Sequence, residues 1–324
     1  MDAGRWCRVL VTCIVGATVT VGCSSPSRTA ADRTTIADAA PTVAFIDAGG
    51  VRLRVRSVGP RDAKQTVLLI HGGPGLSLES LANLDALQGT DRRIVSYDQR
   101  GAGESDKPSD GDFGLDAQLR DIEAVRIWAG VNALDLLGQS WGGLFAAAYT
   151  AQNPDTVHGL ILLDAAPLDW SAFLSGQQSF TDRETRLRAA GIVPATLPPD
   201  DADSCLPSLM ARIPVYLASP TDPSPEFHTT CSASTARATY AAIQTPAAQA
   251  ELTRLAGALG HYHGHALVIM GSEDPFGLGW LERSVQLLDG ANVDQLVVPG
   301  AGHLSSIERP TVVLPAIDRW LDAS

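Results

Sequence analysis

Gly138-Gln139-Ser140-Trp141-Gly142-Gly143 stands between the apolar run Ala133-Leu134-Asp135-Leu136-Leu137 and the alanine-rich run Leu144-Phe145-Ala146-Ala147-Ala148-Tyr149. The first run reads as a buried strand and the second as a helix, so Ser140 falls at a strand-to-helix turn. Glycines two residues before and two after the serine leave room for strand and helix to approach around a strained central residue. Such a turn pushes the hydroxyl out of the sheet edge. It also sets the serine beside a helix N-terminus, whose free N–H groups favour a developing negative charge. These are the features of a nucleophile elbow.

Upstream, Val43 to Ile46 and Val51 to Val58 alternate around Gly49-Gly50 as a hairpin does. Thr66-Val67-Leu68-Leu69-Ile70 is continuously apolar, as a central strand covered on both faces must be, and ends in His71-Gly72-Gly73-Pro74-Gly75. A helical stretch over Leu78 to Leu87 precedes the strand Arg93-Ile94-Val95-Ser96-Tyr97, which runs into Asp98-Gln99-Arg100-Gly101-Ala102-Gly103-Glu104-Ser105. A helix from Leu115 to Trp128 leads to the elbow strand. Downstream, strands are expected at Gly159 to Leu163, Ala266 to Met270 and Gln295 to Val298, with a helix from Trp280 to Leu288. The terminal helix runs to Leu321, with Pro315 expected to delay its start or kink it.

Strands alternating with helices at this spacing imply an α/β fold: a mostly parallel, doubly wound sheet with helices on both faces and ligands at the carboxyl ends of the strands. The pattern breaks between Pro167 and Leu259, where Ser, Thr, Pro, Asp and Ala abound. Residues 167–259 are read as an inserted, mainly helical cap, and 42–166 with 260–324 as the core.

The chain has 324 residues, 45% apolar and 19% charged, enough for one large domain with an insertion. A formal charge of −12 argues against a nucleic-acid surface, which needs clustered Lys and Arg. Arg5 and Arg8 precede the apolar run Val9 to Gly22, too short to span a bilayer comfortably, so residues 1–22 read as a signal peptide. Gly22-Cys23-Ser24-Ser25 is similar to a bacterial lipobox, although Thr20 stands where an aliphatic residue is usual. That similarity implies lipidation of Cys23, followed by a tether over 23–41, and an exported protein, membrane-anchored by lipid or secreted. With Cys7 and Cys13 in the removed segment and Cys23 lipidated, Cys205 and Cys231 remain for a disulfide in an oxidising compartment.

Acyl transfer needs an oxygen nucleophile, a base within hydrogen-bond reach, a carboxylate to orient the base, and donors for the oxyanion. One candidate for each stands at a strand end. Ser140 is the nucleophile, His303 in Pro299-Gly300-Ala301-Gly302-His303 the base, and Asp274 in Gly271-Ser272-Glu273-Asp274-Pro275 the acid, with Glu273 as its competitor. The order Ser, Asp, His is the one that goes with a nucleophile elbow. The N–H groups of Trp141 and Gly73 are the expected oxyanion donors, Pro74 having none. Asp98 and Arg100 are expected to brace the site loops. His261, His263 and His265 alternate, but they enter a strand at the end away from the other loops, so a structural role is assigned and no metal site. No cofactor is expected, because no dinucleotide fingerprint follows a strand.

Together, His71 to Gly75, Asp98 to Ser105 and Gly138 to Gly143 resemble the α/β-hydrolase superfamily and, within it, the proline iminopeptidases. The likeness covers the core and not the cap. Glu104 stands where close members carry arginine, and Gln139 where they carry glycine. The resemblance implies an aminopeptidase that releases N-terminal residues from short peptides through an acyl-enzyme, with cap carboxylates holding the substrate amine. Glu184, Asp200, Asp201, Asp203 and Glu226 are candidates for that role by charge alone. A carboxylesterase or lactonase acting on small esters, and a non-catalytic binding protein, remain open on the same core.

Overall fold

The central apolar runs become strands because both of their faces find cover. In β3, Gln65–Ile70, Val67 and Leu69 pack with Leu84, Leu87, Val313 and Ile317 on one side, while Leu68 and Ile70 pack with Ile122 and Phe145 on the other. The period of two thus divides one continuously apolar segment between two cores.

The computed structural model describes residues 41–201, 204–222 and 226–323. The expected signal peptide, Cys23 and all but the last residue of the tether lie outside the described residues, as does Asp203. Among the described residues the remaining strands are β1 Thr42–Asp47, β2 Arg52–Val58, β4 Arg92–Tyr97, β5 Leu134–Gln139, β6 Val157–Leu163, β7 His265–Gly271 and β8 Asn292–Val298. They form one sheet in the order β1-β2-β4-β3-β5-β6-β7-β8. The β1–β2 hairpin closes at Asp47 opposite Arg52, β2 is antiparallel to β4, and every other pair is parallel. From β3 the chain goes out to β4 and then back past β3 to β5. The direction of winding therefore reverses at β3–β5, where the loop beginning at His71 and the Ser140 turn emerge side by side.

A 3-10 helix, Leu78–Leu87, follows the β3 loop, and α1, Leu115–Ala129, leads to β5. Helix α2, Trp141–Gln152, is buried at every residue from Trp141 to Thr150, which explains its small, apolar composition. Gly142 is required there, since a Cβ would come within 2.1 Å of the Ile70 carbonyl oxygen.

Four helices occupy the segment expected as a cap: α3 Trp170–Ala189, α4 Leu206–Tyr216, α5 Ala233–Ile243 and α6 Pro246–Leu259. Asp169 caps α3 by accepting from the Ala172 N–H at 2.9 Å, and Thr245 caps α6 through the Ala248 N–H at 3.2 Å. Helix α6 lies along α2, and its Leu252, Leu255 and Leu259 join the main core. Cys205 and Cys231 form a disulfide. The Ser232 N–H donates to the Gly75 carbonyl at 2.8 Å, which ties this part of the chain to the β3 loop. Core and cap make one compact unit. The chain ends in α7 Gly279–Leu287, α8 Ser305–Glu308 and α9 Pro310–Ala323. Pro315 does not delay α9, which starts five residues earlier on Pro310, a position where a missing N–H removes no helical bond.

Candidate active site

Ser140 links the end of β5 to α2 with φ 54° and ψ −121°, a left-handed conformation that costs a non-glycine residue about 1–3 kcal/mol. Its backbone is pinned on both sides. The Ser140 N–H donates to the Leu163 carbonyl at 3.0 Å, and its own carbonyl accepts from Gly143 at 2.9 Å and Ala166 at 3.0 Å.

The structure brings the three expected triad residues together. His303 Nε2 lies 2.8 Å from Ser140 Oγ, and His303 Nδ1 lies 2.7 Å from Asp274 Oδ2. The second Asp274 oxygen accepts from the Phe276 N–H at 2.9 Å, and the His303 N–H donates to the Tyr216 carbonyl at 2.8 Å. Glu273, the competing acid, is exposed to solvent and does not meet the histidine. Phe276 lies against the imidazole with ring centroids 4.6 Å apart, and Tyr216 at 5.7 Å. Burial opposes charge on the His303 ring, yet the adjoining Asp274 carboxylate outweighs it and raises the pKa above the ordinary 6.5.

The β3 loop passes directly over the serine: a Cβ on Gly72 would stand 2.4 Å from Gln139 Oε1 and 3.0 Å from Ser140 Cβ. Gly73 follows with φ 123°, and neither its N–H nor that of Trp141 makes a backbone hydrogen bond among the described residues. His71 is fully buried, which lowers its pKa and keeps the ring neutral. Its Nε2 accepts from the Gln99 N–H at 3.1 Å while the Gln99 side chain donates to the His71 carbonyl at 2.6 Å. Asp98 accepts from the Leu78 and Glu104 N–H groups at 2.8 and 2.9 Å, and Arg100 makes a two-pronged pair with Asp121 at 2.7 Å on each arm. Both therefore hold loops around the site without reaching the serine.

Sequence reasoning passed over Asp164. It follows β6 with φ 47°, and its N–H donates to the Ile269 carbonyl at 2.8 Å. One carboxyl oxygen accepts from the Gly271 N–H at 3.1 Å; the other accepts from the Ser305 N–H at 3.1 Å and the Ser305 hydroxyl at 2.7 Å. The segment Leu163 to Ala166 is thus bonded to the nucleophile turn, the acid loop and the histidine loop at once. Burial, assisted by the nearby Asp274 charge, pushes the Asp164 carboxyl up to about 8. The available signal was an acid placed directly after an apolar strand at the sheet's carboxyl edge.

Above Ser140 lies a cavity of about 410 Å³, lined by the β3 loop, by Trp141 and Trp280 of the core, and by cap side chains that include Phe173, Phe180 and Tyr216. Of the carboxylates expected to face it, Asp200 lines it. Glu184 is bound instead to Arg188 and to Arg212 Nε at 3.2 Å, Asp201 accepts from the Ser204 N–H at 2.5 Å, and Glu226 is exposed and outside the lining. Both disulfide cysteines contribute to the wall. His261, His263 and His265 sit at the opposite, amino end of β7, where His263 Nδ1 meets the Gly290 carbonyl at 3.1 Å and His265 Nδ1 meets Asn292 Nδ2 at 3.1 Å. Among the described residues no group of three metal-ligating side chains converges, and no helix is long and apolar enough to cross a membrane.

Comparison with known proteins agrees with this architecture. The chain is 40% identical over 129 residues to a proline iminopeptidase of Lactobacillus helveticus, which covers 38% of this chain and 44% of that protein. The match thus spans less than half the length of the relative. In structure it is similar to the proline iminopeptidase of Mycobacterium smegmatis, with a TM-score of 0.61 at 20% identity over 87% of this chain and 98% of the other. VinJ superposes with a TM-score of 0.64 at 18% identity over 87% and 98%. Residues 65–310 match the model of the alpha/beta hydrolase fold, and the chain belongs to that family.

Proposed function

We propose that the protein is a serine hydrolase that cleaves small amides or esters through an acyl-enzyme. The observation that carries this reading is the hydrogen-bonded series Ser140–His303–Asp274 at three strand ends beneath the cavity. Ser140 Oγ attacks the substrate carbonyl as its proton passes to His303 Nε2, and Asp274 stabilises the imidazolium that forms. The carbonyl oxygen takes up the negative charge against the Gly73 and Trp141 N–H groups. Collapse breaks the bond to the leaving group, which receives the proton from His303. Water then repeats the sequence on the acyl-enzyme, releasing the acid and restoring Ser140. The cavity's aromatic wall suits an apolar acyl group such as a prolyl ring.

The names of the relatives support release of an N-terminal residue from short peptides, with Asp200 as the carboxylate nearest to hand for the amine. Ester hydrolysis is the second reading, favoured because Glu184 is already committed to two arginines. A prolyl anilide and a short-chain nitrophenyl ester, assayed side by side with Ser140→Ala as the blank, test both. Turnover of the anilide that is abolished by acetylating its amine establishes the aminopeptidase, and ester turnover alone establishes the esterase. Activity that survives in Ser140→Ala overturns the mechanism.

A further inference from the structure

The cavity wall contributed by the cap has a periodic origin. From α4 and the residue before it, Cys205, Ser208, Leu209, Arg212, Ile213 and Tyr216 face the cavity, and from α5 Ala233, Ala236, Arg237 and Tyr240 do. These are the i, i+3, i+4 stripes of the two helices, the positions that ordinarily turn inward and carry apolar side chains. Each stripe carries one arginine. Arg212 is half-buried and Arg237 exposed, so water solvates both charges and neither requires a partner within the protein.

Arg212 is only partly matched. Its Nε donates to Glu184 Oε1 at 3.2 Å, a carboxylate it shares with Arg188, and its two terminal nitrogens make no hydrogen bond among the described residues. Arg237 makes neither an ion pair nor a side-chain hydrogen bond among them. Asp200, the single carboxylate in the lining among the described residues, bonds to neither arginine. Among the described residues two guanidinium groups with open donors therefore face one carboxylate, in a protein whose formal charge is −12. Both side chains keep contact with solvent, so the empty cavity tolerates them while their forks stay available. A planar fork of N–H donors matches a carboxylate through two parallel hydrogen bonds.

The geometry points to a substrate that carries a carboxylate of its own, received by Arg237 and Arg212 on the α4–α5 wall while its scissile carbonyl lies at Ser140. The inference rests on the serine-hydrolase reading above and supplies its substrate class. The carboxylate has two sources: the acyl part, as in a half-ester of a dicarboxylic acid, or the leaving group, as in the C-terminus of a dipeptide. A lone cationic amine against this wall meets like charge.

Two matched pairs of substrates test it in the purified protein. The acyl pair is 4-nitrophenyl hydrogen glutarate against 4-nitrophenyl pentanoate; the leaving-group pair is prolylglycine against prolylglycinamide. In at least one pair kcat/KM is expected to favour the anionic member about tenfold, the effect of one charge-assisted contact at a partly exposed site. That preference is lost in Arg237→Gln, inverted in Arg237→Glu and reduced in Arg212→Gln, chiefly through KM. Whichever pair shows it identifies the source of the carboxylate. Equal or better turnover of both neutral members, or arginine variants that change each pair alike, overturns the inference. Calorimetric binding of glutarate to Ser140→Ala reads the anion site without chemistry. Glutarate binding that Arg237→Gln abolishes, with no turnover of any substrate, overturns the hydrolase reading alone; absence of glutarate binding together with no turnover overturns the anion site.

Discussion

Replacing Asp164 by asparagine tests whether one buried carboxyl holds the three catalytic loops in register. The carboxyl accepts from the Gly271 N–H on one oxygen and from the Ser305 N–H and hydroxyl on the other. An amide has a single oxygen. If that oxygen stays with Ser305, the NH2 group faces the Gly271 N–H, and one buried donor loses its partner at a cost of about 1–3 kcal/mol. Gly271 stands three residues before Asp274, and Ser305 two after His303, so relaxation of either contact moves a catalytic group. Displacement of about 1 Å costs on the order of 100-fold in rate, so kcat is expected to fall about 10- to 100-fold. A second effect concerns pH. In the proposed mechanism His303 acts as base only when neutral, and its pKa stands above 6.5 because the Asp274 carboxylate outweighs the effect of burial. In the wild type, kcat/KM is therefore lost as pH falls through a value above 6.5; Asp164, itself protonated below about 8, is neutral over that limb, so Asp164→Asn leaves the limb in place. Stability follows the opposite logic. The folded carboxyl titrates at about 8, above the unfolded value of about 3.9, so the folded state holds the proton more tightly and wild-type stability declines as pH rises between those values. Asparagine lacks that decline, and the gap in melting temperature between the two proteins narrows from pH 6 to pH 9. Ester hydrolysis from pH 5 to 9, paired with thermal unfolding and with Asp164→Ala as a second variant, reads all three. A folded Asp164→Asn protein whose kcat coincides with wild type would refute the positioning role.

Removing the disulfide by joint Cys205→Ser and Cys231→Ser substitution releases a loop with a sequence separation of 26. It should lower stability by about 3 kcal/mol in urea unfolding, and an unchanged midpoint would show that the loop is closed by its other contacts. Gly72→Ala puts a methyl group 2.4 Å from Gln139 Oε1 and 3.0 Å from Ser140 Cβ. Displacing the Gly73 N–H should reduce kcat by about 10²–10³ with a smaller effect on KM, whereas a change confined to KM would remove Gly73 from the oxyanion site.

The features that were legible in the chain are those fixed by near neighbours. Ser140 is identified by a strand before it and a helix after it, His303 and Asp274 by the apolar runs of β8 and β7 that end just upstream, and the first hairpin by Gly49-Gly50. Asp164 was not legible, because its side-chain partners lie 107 and 141 residues away and nothing in Leu163-Asp164-Ala165 announces them. The cap was read only as helical. Its segments are short, and α6 owes its position to α2, a helix nearly a hundred residues earlier. One cap feature was nonetheless within reach. Glu184 and Arg188 are spaced i, i+4 on α3, the spacing of a helical ion pair, so Glu184 was a poor candidate for a substrate amine before any fold was known. The same helical spacing, applied to α4 and α5, sets Arg212 in line with Leu209 and Tyr216 and Arg237 in line with Ala233 and Tyr240. What the spacing alone does not reveal is that both stripes face one cavity. That juxtaposition is made by the Cys205–Cys231 bond and by the Ser232 N–H on the Gly75 carbonyl, which fold the two helices over the β3 loop. The proposed triad is thus written in local sequence, and the proposed anion site in contacts that only the folded chain assembles.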